Sequence, residues 1–172
     1  MWEEALSGAI GNLPYLADLS LAAMEVGKFS QKGAMSVAEM VSALASLTRL
    51  DLSRNFFSHE GCQALADSIR GMQQLVDLNL SDNAVGFKHY HAPQKGAAGK
   101  SQKAFNPMSL VCEAIRESAS LRVLSLANCQ LTYDEDFILE DALRWRKKPL
   151  EYLDVSSNPL QGYLGARCLL RT

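Results

Sequence analysis

Tryptophan, proline and cysteine are scarce in this 172-residue chain, with two, five and four copies respectively. No apolar run approaches the ~18 residues that a membrane-spanning helix needs. The opening Met1-Trp2-Glu3-Glu4 is acidic where a secretory leader is basic, and no arginine precedes Arg49, so neither a signal peptide nor a basic presequence is expected. The formal net charge is only −2, which exerts no overall pull toward nucleic acid or anionic lipid. Cys62, Cys112, Cys129 and Cys168 form no CxxC pair, which leaves a tetrahedral zinc site or a thioredoxin-type dithiol without a framework. Free thiols in the reducing cytoplasm are the plain reading.

Leucine, by contrast, is abundant: 26 residues, about one in seven. They fall into register. Leu47, Leu50 and Leu52 precede Asn55; Leu75, Leu78 and Leu80 precede Asn83; Leu121, Leu124 and Leu126 precede Cys129; Leu150, Leu153 and Val155 precede Asn158. A weaker copy runs from Leu16 through Leu19 and Leu21 to Met24 and Val26. The leading leucines are spaced 31, 28, 46 and 29 residues apart, so one unit carries an insertion of about 18 residues. Between copies, apolar residues recur at steps of three and four, as in Val37, Met40, Val41 and Leu44, or Leu139 and Leu143. That step marks an amphipathic helix, and each unit reads as short strand, turn and α-helix.

On these motif positions the chain resembles the leucine-rich-repeat proteins, and among them the ribonuclease-inhibitor-like class with long repeats. The resemblance covers nearly the whole sequence. It implies an α/β solenoid, a curved horseshoe segment with parallel strands on the concave face and α-helices on the convex face. It also implies one array, 1–172, of about five strand-helix units, with a basic loop insertion at about 86–105.

Within a strand, alternate residues face opposite ways. Leucines of the motif would therefore stack inward on their counterparts one repeat away, because no single repeat can bury its own apolar face. Asn55, Asn83 and Asn158 are expected to satisfy backbone groups where the strand turns, since an unpaired buried amide is costly. Cys129 takes that place in its unit, and the resemblance makes it a structural substitute rather than a reactive thiol. Met24 cannot hydrogen-bond there, so the first turn is expected to be irregular.

The outward positions would line the concave face: Asp18, Arg49, Asp51, Asp77, Asn79, Ser125, Tyr152 and Asp154, with Ser20, Val123 and the small residues beyond them. Four aspartates against one arginine suit a basic partner segment, although outward strand positions are polar in any soluble repeat. Tyr152 beside Asp154 is the expected hot-spot pair. In the insertion, Lys88, Lys95, Lys100 and Lys103 stand without any acidic residue among glycines and alanines. It reads as a surface loop, as a basic arm for an acidic protein tail or RNA backbone, or as a segment folding back over the acidic face.

Catalytic signatures are missing. His89 and His91 alone are too few for a metal site. The stretch Gly96-Ala97-Ala98-Gly99-Lys100-Ser101 has the wrong spacing for a phosphate-binding P-loop. No cofactor, metal or small-molecule substrate is expected, and neither a membrane nor nucleic acid is the expected partner. The reading is a non-catalytic, cytoplasmic protein-interaction module or scaffold subunit. Two alternatives stay open: a GTPase-activating regulator of a small GTPase, and a structural subunit of a large cytoskeletal, axonemal or ribonucleoprotein assembly. Residues 1–10 read as the helix of a preceding repeat, and Gly165–Leu170 as the start of a following one. A chain with neither end capped is expected to be a fragment, to stack end to end on itself, or to join a larger assembly.

Overall fold

The computed structural model describes residues 8–10, 13–28, 30–57, 59–83, 85 and 106–159. The basic insertion with its four lysines and two histidines lies outside the described residues, as do the expected helix start at Gly165–Leu170 and most of the expected helix at 1–10; residues 8–10 are helical. Among the described residues from Leu13 on, five three-residue strands alternate with four helices: β1 (Asp18–Ser20), α1 (Gln31–Ser42), β2 (Arg49–Asp51), α2 (His59–Gly71), β3 (Asp77–Asn79), α3 (Pro107–Glu117), β4 (Val123–Ser125), α4 (Tyr133–Arg144) and β5 (Tyr152–Asp154).

The strands form one parallel sheet in chain order, β1-β2-β3-β4-β5. Register follows the motif: Leu19, Leu50, Leu78, Leu124 and Leu153 stand side by side across the sheet. The three inner members are buried, whereas Leu19 and Leu153 on the outer strands are only partly so. Leu47, Leu75 and Leu121 and, beyond the strands, Leu52, Leu80 and Leu126 complete the buried columns. The fold is thus an α/β solenoid in which each repeat lends its apolar face to the next.

Helices start where the local chemistry predicts. Ser30 caps α1 by accepting the Lys32 N–H, and Asn106 caps α3 by accepting the Met108 N–H at 3.0 Å ahead of Pro107 in the first turn. Their apolar faces (Val37, Ala38 and Val41 in α1, Leu65, Ala66 and Ile69 in α2, Val111, Cys112 and Ile115 in α3) pack on the sheet, and neighbouring helices pack in chain order. On the outside, Arg70 of α2 joins Asp67 at 2.8 Å to Glu113 and Glu117 of α3 at 3.3 and 3.1 Å. Among the described residues no helix is long and apolar enough to cross a membrane.

Candidate protein-binding face

The strand face turned away from the helices is built from two aligned rows. One contains Asp18, Arg49, Asp77, Val123 and Tyr152; the other contains Ser20, Asp51, Asn79, Ser125 and Asp154. All eight residues singled out for this face in the sequence therefore share one surface. Parallel in-register pairing brings this about, because identical motif positions must lie side by side.

Arg49 stands between two carboxylates, 3.2 Å from Asp18 and 3.7 Å from Asp77. Partial burial pushes the Asp77 carboxyl above its ordinary range; Arg49 opposes that shift, and Asp18 and Asp51 add to it. One guanidinium does not cancel the negative potential of this row. The second row is partly occupied by its own backbone. Asp51, Asn79 and Asp154 each accept, through Oδ1, the N–H two residues on, from Ser53, Ser81 and Ser156 at 2.9, 3.0 and 2.9 Å. These bonds close the turn that ends each strand. They also hold the Asp154 carboxyl below the usual range, so that it stays charged. Tyr152 is 54% exposed at the outer strand.

Behind the face runs an amide ladder. Asn83 donates from Nδ2 to the carbonyls of Leu52 and Leu80 at 2.9 and 3.0 Å, and Asn158 donates to those of Leu126 and Val155 at 2.7 and 2.9 Å. The Sγ of Cys129 donates to the Leu80 carbonyl at 3.2 Å, half of what an amide there would do. Burial pushes its thiol up to about 12, so the group is a neutral donor rather than a nucleophile. On either side of the ladder position the backbone takes the left-handed region, at Arg54 and Phe56 (59° and 57°) and at Asn128 and Gln130 (51° and 59°). The turn at Met24 repeats this with Ala23 and Glu25 (57° and 54°). Its departure from the pattern lies in the ladder: Asn55 donates to Leu21, Leu52 and Ser53, while its Oδ1 has no hydrogen-bond partner among the described residues.

Two polar groupings escaped the sequence reading. Asp82 accepts from Asn128 at 2.7 Å and pairs with Arg54 at 3.2 Å, and these bonds lower its carboxyl pKa. All three residues directly precede the ladder position of their repeats, so aligning the copies would have exposed this row. The other grouping is at the start of α4. Glu135, fully buried, accepts from the Thr132 N–H at 2.8 Å and hydroxyl at 2.5 Å, and from Asn106 Nδ2 at 2.7 Å. Asn106 thereby couples the caps of α3 and α4. Among the described residues no group of three or more His, Cys, Asp or Glu side chains could hold a metal ion.

Comparisons with known proteins agree with this geometry. A leucine-rich-repeat family model matches residues 43–66, which span the first strong motif copy. No curated protein matches the chain. Among solved structures, the tropomodulin C-terminal domain of Caenorhabditis elegans superposes with a TM-score of 0.70 at 11% identity, covering 99% of this chain and 90% of that one. A leiomodin-1 domain described as actin-binding site 2 superposes with a TM-score of 0.68 at 13% identity, covering 98% and 87%. Identities this low speak for the fold. The motif copies, the match over residues 43–66 and the shared topology together show an α/β solenoid fold of the leucine-rich-repeat type.

Proposed function

We propose that the chain is a non-catalytic protein-interaction module that takes a basic segment of a partner protein across its strand face. The observation that carries the reading is the row Asp18-Arg49-Asp77, in which one cation is shared by two carboxylates while Asp51 and Asp154 add further negative charge alongside. A lysine or arginine from a partner would find carboxylate oxygens with spare acceptor positions, and Tyr152 would supply apolar area with a polar tip. The full helices between strands support placing the repeats in the ribonuclease-inhibitor-like class. The cytoplasm suits buried free thiols.

Capture of partners from native lysate, identified by mass spectrometry, tests this with Tyr152→Ala, Asp154→Ala and a deletion of residues 88–103. Loss of the same partner in the two point variants is the expected result. Full retention in both overturns the strand face as the site. A rise in GTP hydrolysis on mixing with any of a panel of small GTPases would instead favour the regulator reading.

A second reading, membership of a cytoskeletal assembly, draws on the leiomodin-1 domain described as an actin-binding site. Co-sedimentation with filamentous actin decides it. Enrichment in the pellet that is lost in Tyr152→Ala would join the two readings, and no enrichment removes the second.

A further inference from the structure

Helix α4 turns an aromatic stripe to solvent. Tyr133, Phe137 and Asp141 and the cap residue Trp145 stand four apart, on the side opposite the buried Glu135, Asp136, Leu139 and Ala142. Phe137 is 43% exposed and Trp145 67%, in a chain with only two tryptophans. The stripe is ordered by its own contacts. The Tyr133 and Phe137 rings meet edge to face with centroids 4.6 Å apart, and the Trp145 indole donates to Asp141 at 3.2 Å. Beside Phe137, a groove of about 290 Å3 opens between α3 and α4, walled by Cys112, Glu113 and Ile138.

The two ends of this face carry opposite charge, while the exposed Asp141 between them is held by the Trp145 indole. Asp134 is exposed at the start of α4; Arg144 is exposed near its end, only loosely paired with Glu140 at 3.8 Å, and exposed Lys147 and Lys148 follow. A parallel neighbour would set Asp134 against Asp134 and Arg144 against Arg144. An antiparallel neighbour centred at the level of Leu139 sets Asp134 of one copy against Arg144 of the other, twice. The same centre sets Tyr133 of one copy against Trp145 of the other, also twice. Both coincidences arise because each pair is symmetric about one residue. That is the self-complementarity an isologous two-fold contact requires.

We propose that a second copy of this chain occupies the face, pairing antiparallel along α4 to form a two-fold dimer. The strand face is left free, so the inference is independent of the function proposed above. One helix face is a small interface, and association is expected to depend on concentration.

Sedimentation equilibrium of the full chain over a range of concentrations is the test. The wild type should shift toward the mass of two chains. Phe137→Ser with Trp145→Ser should keep it monomeric. Asp134→Lys or Arg144→Glu alone places like charges together twice and should weaken association about tenfold or more, while the double exchange should recover it. Both exchanged charges oppose the helix dipole, so recovered association cannot come from a steadier helix. Far-UV circular dichroism checks that each variant stays folded. A wild type monomeric at every concentration, single reversals without effect, or a double exchange that fails to recover would each overturn the proposal; the first is also the outcome if another protein covers this face.

Discussion

Asn83 reaches across one repeat to Asn55: its Oδ1 accepts the Asn55 N–H at 3.0 Å while its Nδ2 donates to Leu52 and Leu80. One buried side chain thus satisfies backbone groups of two units, including a second N–H at Phe57, 3.3 Å away. Truncation leaves the Asn55 and Phe57 N–H groups dry and unpaired, each at a cost of about 1–3 kcal/mol partly relieved by water entering the space, while the Leu52 and Leu80 carbonyls keep Asn55 and Cys129 as donors. Asn83→Ala should lower stability by about 3 kcal/mol or more, read as a drop in the denaturant midpoint with an unchanged m-value. At Cys129 the reverse exchange is available. Cys129→Asn restores the second donor that the thiol lacks and should be neutral or stabilising.

Cys62, Cys112 and Cys129 are buried, and burial raises each thiol, to about 12 for Cys62 and Cys129 and higher for Cys112. At neutral pH almost no thiolate is present, and none of the three is accessible to reagent. Alkylation of the native protein should therefore spare all three, and all three should react together once denaturant unfolds the chain. Peptide mapping after a timed iodoacetamide pulse reads this residue by residue. Rapid native labelling of Cys129 would contradict its role as a ladder donor.

Much of this architecture is legible in the sequence because the repeat constrains it twice. Leu50 and Leu78 must face inward for one unit to cover the next, and that same spacing puts Arg49 beside Asp77. The chemistry of individual oxygens is not legible. Asp51 and Asp154 are correctly placed on the outer face, but their Oδ1 atoms serve the N–H of the serine two residues on, a matter of turn geometry rather than pattern. Glu135 and Asp136 are adjacent acids with no periodic signal to separate them. Both are buried, but Glu135 closes the capping box with Thr132, three residues earlier, and is also reached by Asn106, 29 residues earlier. Sequence distance hides that contact.

Arg146 anchors the chain between α4 and β5. Its two terminal nitrogens donate to the carbonyls of Ile115 and Leu121, the latter at 2.7 Å, and its Nε donates to the Lys148 carbonyl at 3.1 Å. The planar fork suits three acceptors lying in different directions, which a single ammonium cannot match. Arg146→Ala should cost about 2–3 kcal/mol, because two partly buried carbonyls lose a charged donor. Arg146→Lys should recover less than half of that. Chemical denaturation of the three proteins side by side gives the ranking, and a lysine variant equal to wild type would show that charge rather than geometry matters.

Asp136 is the unsatisfied counterpart of Glu135. It is fully buried and neither carboxylate oxygen has a hydrogen-bond partner among the described residues. Burial, reinforced by nearby Glu140, raises its carboxyl from 3.8 to about 6. Sign follows directly: the folded state holds this proton more tightly than the unfolded chain, so the stabilisation is complete below the unfolded value near 3.8 and is lost as pH rises through about 6. At neutral pH the carboxylate is charged, buried and unpaired, a destabilising arrangement. Asp136→Leu should therefore raise stability by about 1–2 kcal/mol at neutral pH, and this charge-dependent gain should shrink as pH falls below about 6 and disappear near 3.8. Thermal melts of wild type and variant across that range supply the difference curve. A gain that stays constant with pH would mean that packing, not the proton, separates the two proteins.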